Sequence, residues 1–305
     1  MTATSLPHLA PRSSLATADD DAGVEEATLL TGDGTPIAAR LFVPVTPPRG
    51  AVLVVPAMGV AQSFYRALAG WLRGEGFTVL TFDFRGVAAS RTRPLREETA
   101  DIMTWARQDT RAALEALERR APGLPITWIG HSLGGQIVPF VPGHERVARV
   151  VTIAAGSGYW RETAPQLRRK VWLFWFGLVP ALTPLFGYFP GRRLGMVGDL
   201  PKNAVRQWRR WCLDPEYAAG AEGEAVRAAY AAVTRPITSL SFTDDEMMSE
   251  KNVTSIHAHY ASAPRSMKRF DPSTLGVERV GHFGFFRGAM ASAWRDHLRP
   301  ELAAL

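Results

Sequence analysis

Gly130-His131-Ser132-Leu133-Gly134 sets a serine between two glycines. An apolar run, Ile126-Thr127-Trp128-Ile129, precedes it, and a helix-like segment follows. Strand, Gly-x-Ser-x-Gly and helix, in that order, make a nucleophile elbow: a sharp turn that lifts a serine hydroxyl above the carboxyl edge of a sheet. Glycines belong on either side because a side chain there would strike the neighbouring strand or helix. A serine hydroxyl is a poor nucleophile at neutral pH. It needs a base to take its proton and a third group to orient that base. The motif is short enough to arise by chance, so its partners decide the reading.

His282 is the candidate base. It lies in Val280-Gly281-His282-Phe283-Gly284, a glycine-flanked loop just before the last helical segment. The other histidines are weaker candidates. His131 is inside the elbow, with its side chain aimed away from that of Ser132. His257 and His259 are two apart, so on a helix they face different directions and make poor metal partners. His8, His144 and His297 have no supporting pattern. Asp244 and Asp245 follow the strand-like run Ile237–Phe242, and either can orient an imidazole. No metal or cofactor is required by this set. Cys212, the single cysteine, has no activating base near it in sequence, excludes an internal disulfide and suits a reducing compartment.

The elements that must position these groups alternate strand and helix. Ala27 to Val43 alternates and breaks at Gly32-Asp33-Gly34, the pattern of an opening hairpin. Strands are expected at Ala51–Pro56, Phe77–Phe84, Ile126–Ile129, Arg149–Ala154, Ile237–Phe242 and Ser266–Phe270. Helical spacing marks Ser63–Gly74, Glu97–Arg120, Val253–Tyr260 and Ala289–Leu302. The alternation predicts an α/β fold with a mostly parallel central sheet and helices on both faces. Residues 1–23 read as a loose tail in which Asp19-Asp20-Asp21 is a solvated charge run; 24–155 and 236–305 form the core. No apolar run follows a basic start, so the expected location is cytoplasmic.

Residues 156–235 interrupt the pattern and read as a helical cap. The net charge of the chain is +6, and this segment alone, with twelve Lys or Arg against six Asp or Glu, carries a charge equal to the whole excess. No nucleic-acid motif accompanies that charge. Five of the nine tryptophans are here: Trp160, Trp172, Trp175, Trp208 and Trp211. Val171 to Pro190 is free of charge and is flanked by Arg168-Arg169-Lys170 and Arg192-Arg193. It is long enough to span a bilayer. Pro180, Pro184, Gly177 and Gly187 would break a regular helix, and the strands on either side must join one sheet, so a span is excluded. An apolar cap on the core, with a solvated basic outer face, is the simplest reading. Peripheral contact with a membrane is the second. The cations, Arg209 and Arg210 among them, could favour an anionic group such as a phospholipid head or a coenzyme A thioester.

With Phe82-Asp83-Phe84-Arg85-Gly86 after the second parallel strand and Gly281-His282-Phe283-Gly284-Phe285-Phe286-Arg287 near the end, the chain resembles bacterial α/β-hydrolases of the lysophospholipase or serine aminopeptidase-like group. The resemblance runs from about Ala27 to the C-terminus. It implies the order nucleophile, acid, histidine, hence Ser132, Asp245 and His282, with Asp244 as the alternative acid. In the family the acid follows Gly-x-x; here Phe242 stands where that glycine would be. The resemblance also implies an oxyanion hole from the backbone N–H groups of Leu133 and Met58, in a loop where Pro56-Ala57 replaces the common His-Gly. Asp83 and Arg85 would hold loops together.

The expected function is a serine hydrolase, esterase- or lipase-like, cleaving a carboxylic ester or thioester with an apolar acyl group. Trp160, Trp172, Trp175 and Phe283 are candidate substrate contacts. Acyl transfer to another acceptor, peptidase or amidase action, and ligand binding without turnover are the alternatives. The partner is a small or lipid-like acyl molecule.

Overall fold

The computed structural model describes residues 23–304 except Val197. The expected tail, with His8 and Asp19-Asp20-Asp21, therefore lies outside the described residues apart from Gly23. Strands β1 (Val24–Leu30) and β2 (Pro36–Phe42) form the hairpin read from the sequence, turning at Thr31–Thr35. The next strands are β3 (Gly50–Val55), β4 (Phe77–Phe82), β5 (Ile126–His131) and β6 (Arg149–Ile153). Two short strands, β7 (Tyr188–Phe189) and β8 (Leu200–Pro201), pair with each other. The last two are β9 (Ile237–Phe242) and β10 (Arg265–Phe270).

Eight strands join one sheet in the order β1-β2-β4-β3-β5-β6-β9-β10. The first two pairings are antiparallel and the rest parallel. A strand buried on both faces needs apolar side chains at every position. β3 has them: Val52 and Val54 enter one core cluster, and Leu53 and Val55 the other. β5 sits between β3 and β6, so its carboxyl end opens near the middle of the sheet.

Helices cover both faces. α1 (Arg66–Gly74) turns Leu68 and Leu72 inward. A longer helical run follows: α2 (Ile102–Thr104), a π-helical turn Trp105–Thr110, and α3 (Arg111–Arg120). The sequence placed its start at Glu97. Asp101 sets the actual start, because its carboxylate accepts from the Thr104 N–H at 2.8 Å and satisfies a first-turn donor. Gln207 Oε1 accepts from the Ile102 N–H at 2.7 Å and caps a second. α4 (Leu133–Gln136) opens directly from Ser132.

Between β6 and β9 lie α5 (Arg168–Leu173), a π-helical turn Phe174–Leu178, α6 (Val179–Phe186), α7 (Lys202–Leu213), α8 (Ala218–Glu222) and α9 (Glu224–Ala232). The expected break of a regular helix falls at the π-helical turn just before Pro180 and at Gly187, not at Pro184. Pro180 occupies the first turn of α6, where its missing N–H is not needed, and the helix passes Pro184 to end at Gly187, φ 75°. α10 (Glu250–Ala258) begins with a reciprocal Ser249–Asn252 cap. The closing segment is helical as expected but changes pitch, through α11 (Ala291–Ala293), a π turn Trp294–Leu298 and a tight turn Arg299–Glu301.

Candidate active site

Ser132 follows β5 at φ 49° and ψ −112°, a conformation that side chains rarely adopt. Such a residue costs on the order of 1–3 kcal/mol and persists only where its surroundings fix it. Its N–H donates to Ile153 O at 3.0 Å, and its carbonyl accepts from the Gly135 N–H at 2.9 Å. The glycine positions are equally constrained. A Cβ on Gly134 would lie 2.1 Å from Val55 O, and one on Gly130 would lie 2.4 Å from Gly134 O. The elbow therefore tolerates no side chain at either position.

His282 is buried on the loop before Phe283. Its Nδ1 lies 2.9 Å from Asp245 Oδ2 and 3.1 Å from Oδ1. The Nδ1–H thus donates to the carboxylate, and Nε2 is left with a lone pair. Asp245 Oδ1 also accepts from the backbone N–H groups of Met247 and Met248, at 2.8 and 2.9 Å. Those bonds hold the carboxylate in an acceptor role. Asp244 points elsewhere: its Oδ2 accepts from the N–H groups of Val280 and Gly281, at 2.8 and 3.0 Å. Of the two adjacent acids, Asp245 meets the imidazole and Asp244 ties down the loop that carries it. Glu246, which sequence reasoning passed over, accepts from the His282 N–H at 3.3 Å.

One narrow cleft brings most of the expected residues together. Ser132, Leu133, Met58, His282 and Phe283 line it, with Ala57, Gln136, Trp208, Met247 and Met248. Its free volume is about 20 Å³, room for about one water. A substrate must displace apolar side chains to enter. A larger open groove of about 240 Å³, lined by Asp101, Asn203, Arg206, Gln207 and Arg210, contains none of these residues.

The tryptophans are redistributed. Trp208, on α7, is the one that lines the cleft. Trp175 is buried behind it, ring centroids 4.9 Å apart. Trp172 is exposed and stacks on Phe176, against whose ring Trp160 packs edge-on at 5.8 Å. Trp160, Trp172 and Trp175 thus lie away from the cleft lining. The face that α7 turns inward is set by tertiary packing. Arg209 and Arg210 are occupied too: the Arg209 Nε–H donates to Trp175 O, and Arg210 pairs with Glu222.

Two buried networks hold the cleft, and two further clusters, around Arg85 and Asp83, anchor loops of the surrounding fold. Tyr65 OH accepts from the Ala57 N–H at 2.9 Å and donates to His131 Nδ1 at 2.8 Å. The His131 Nε2–H in turn donates to His282 O at 3.0 Å. Burial holds the His131 pKa well below its ordinary value, so the ring is neutral, as these roles demand. Gln136, on α4, donates to Gly156 O at 2.7 Å and accepts from Tyr217 OH at 2.9 Å, joining the elbow to the 156–235 segment. Arg85 bridges Asp109 and Asp33, donating from Nε at 2.7 Å and from a terminal nitrogen at 2.6 Å. Asp83 accepts from the N–H groups of Gln62 and Ala89. Both serve as loop anchors.

A doubly covered, mostly parallel sheet with a strained serine elbow at the end of its central strand defines an α/β-hydrolase. Residues 46–199 match the family described as serine aminopeptidase, S33, and the chain belongs to that family. It is a hydrolase. A stretch of 120 residues is 28% identical to human monoglyceride lipase. That stretch covers 38% of this chain and 39% of the lipase, well under half of either. Among solved structures, an esterase of Pyrococcus furiosus superposes with a TM-score of 0.59 at 15% identity, over 95% of this chain and 94% of its own. A soluble variant of monoglyceride lipase from Saccharomyces cerevisiae, solved with a substrate analogue, gives 0.60 at 17% identity, over 87% and 89%. A carboxyl esterase from Bacillus coagulans gives 0.54 at 17%, over 82% and 90%. These likenesses define the fold.

Proposed function

We propose that the protein hydrolyses a carboxylic ester with an apolar acyl group, through an acyl-enzyme on Ser132. The observation that carries this reading is the Asp245–His282 pair, with contacts of 2.9 and 3.1 Å, in the same cleft as a serine held at φ 49°. With Nδ1–H committed to Asp245, the free Nε2 of His282 takes the Ser132 proton as Oγ attacks the carbonyl carbon. Negative charge develops on the carbonyl oxygen, where the N–H groups of Leu133 and Met58 receive it. Asp245 stabilises the imidazolium. His282 then protonates the departing alcohol, and water repeats the sequence on the acyl-enzyme. The 156–235 segment acts as the cap, with Trp208 as its contact to the acyl chain.

The lining favours esters over N-terminal amino acids. An aminopeptidase needs a carboxylate or similar group to receive the substrate ammonium. Among the described residues, the cleft lining contains no Asp or Glu side chain. The names of the similar monoglyceride lipases point the same way, toward an uncharged lipid ester.

Initial rates on a series of neutral p-nitrophenyl esters, on the matching thioesters and on aminoacyl p-nitroanilides test the proposal. Turnover of the esters that rises with acyl length, and is lost in Ser132→Ala, is expected. Preference for the aminoacyl anilides would assign the site to peptide chemistry. Added alcohols or amines that capture the acyl group in place of water would assign it to acyl transfer.

A further inference from the structure

The helical run from 168 to 186 has two unlike faces. Phe174, Trp175, Val179 and Thr183 are buried beneath it. The outer face exposes Trp172 (52%), Leu173 (52%), Phe176 (42%) and Leu185 (74%), with Pro180, Ala181 and Pro184 between them. These positions follow helical spacing, so they form one apolar stripe about 20 Å long. A water-facing stripe ordinarily carries charge. This one carries none between Val171 and Pro190. Cations mark both ends: Arg168, Arg169 and Lys170 before it, Arg192 and Arg193 after it, all exposed.

We propose that this stripe is a docking surface for an anionic phospholipid membrane. Charge selects the occupant. An antiparallel second copy on the stripe would set the cations of one chain against those of the other, and a parallel copy would do the same. Phosphate headgroups complement cations at both ends while the stripe enters the acyl boundary. The helix lies on the membrane and does not cross it: among the described residues, no helix is long and apolar enough to span. Trp175, on the buried side of the run, packs on Trp208 at the cleft. A docked stripe therefore holds the cleft close to the lipid, where an ester of low solubility resides. That last step rests on the ester reading above; the docking itself does not.

Co-sedimentation of the full chain carrying Ser132→Ala with lipid vesicles reads docking without chemistry. Binding to phosphatidylcholine–phosphatidylglycerol vesicles, falling as salt is raised, and weak binding to pure phosphatidylcholine are expected. Leu173→Glu and Leu185→Glu should each lower partitioning about tenfold, as befits removing one leucine from an apolar phase. Both positions are exposed, so folding is spared. In the Ser132 background, the same two variants should hydrolyse a soluble short-chain ester at the unaltered rate. Equal binding to neutral vesicles, or undiminished binding by the Leu173→Glu/Leu185→Glu pair, overturns the proposal. So does a concentration-dependent dimer in sedimentation equilibrium that Leu185→Glu abolishes, which would give the face to a second copy. Absence of short-ester turnover with vesicle binding intact would count against the ester reading alone.

Discussion

Tyr65 and His131 share a buried hydrogen bond of 2.8 Å, and through it the loop that offers Met58 is tied to the loop that carries His282. The chain of contacts runs from the Ala57 N–H to Tyr65, to His131, to the carbonyl of His282. Ala57 precedes Met58, His131 precedes Ser132, and Tyr65 joins the two, with His131 reaching His282. His131, the residue before the serine in the Gly-x-Ser-x-Gly elbow, thus has a job of its own: it ties the Ala57-Met58 loop to the His282 loop.

Tyr65→Phe removes that link while keeping the ring. The buried Ala57 N–H loses its acceptor and His131 loses its donor, a cost of about 1–3 kcal/mol in stability. If Tyr65 positions the reacting groups, kcat falls about tenfold with KM nearly unchanged, because the ground-state lining is untouched. A purely structural role would lower the unfolding free energy and leave the kcat of the folded enzyme alone.

The two neighbouring acids separate by experiment. Asp245→Asn leaves the geometry near His282 but cannot fix its tautomer, and kcat should drop by about 10⁴. Asp244→Asn still offers one oxygen to the Val280 and Gly281 N–H groups, so a loss of about tenfold or less is expected. Steady-state rates on one ester decide; the reverse ranking would make Asp244 the acid.

Protonation of buried His257 should destabilise the fold as the pH falls below about 6.5. His257 is buried, its Nδ1–H donating to Val253 O at 2.7 Å and its Nε2 accepting from Thr152 at 2.8 Å. Burial lowers its pKa from about 6.5 to about 4. The folded-state pKa is depressed, so the unfolded chain binds the extra proton between those values, and stability falls as pH drops from 6.5 through 4. At about 1.4 kcal/mol per unit, the loss from His257 is about 3 kcal/mol. His131, also shifted down by burial, adds in the same direction. Urea unfolding of the wild type and His257→Gln between pH 7 and about pH 4 checks this. A shallower pH slope in the variant is expected, and an identical slope would refute the assignment.

Arg85 is the anchor of the hairpin turn and the 102–120 run. Both it and Asp109 are buried, while Asp33, held by the same guanidinium, is pushed far below the usual carboxylate range. Arg85→Met should cost about 3–5 kcal/mol, since it leaves a buried carboxylate without its partner. Arg85→Met/Asp109→Leu should recover part of that loss. A double variant less stable than the single would show that the pair stabilises through shape and not charge.

Legibility in the sequence followed the range of the forces involved. The elbow is local: glycines, serine and the apolar strand before them are set by short-range sterics, and so is the hairpin turn at Gly32-Asp33-Gly34. His282 was legible because glycine flanks it and one helical segment remains. Residue type alone did not separate Asp244 from Asp245; the family spacing favoured Asp245, and the folded loops bring Asp245 to the imidazole. Tyr65, Glu246 and Trp208 left no signal, since an inward-facing aromatic or a loop carboxylate looks the same whatever it touches. The start of the 102–120 run was available in Asp101-Ile102-Met103-Thr104, a capping pattern overlooked in favour of hydrophobic spacing. Pro180 falls in the first turn of α6, which removes much of its penalty, whereas Pro184 sits inside the helix and is tolerated there.

The central claim is that Ser132 is an activated nucleophile. Fluorophosphonate labelling of the full chain, with the modified residue located by mass spectrometry in wild type and Ser132→Ala, tests it most directly. The account predicts one adduct, on Ser132, and none in the variant. A well-folded wild type that takes no label, or takes it elsewhere, would contradict it.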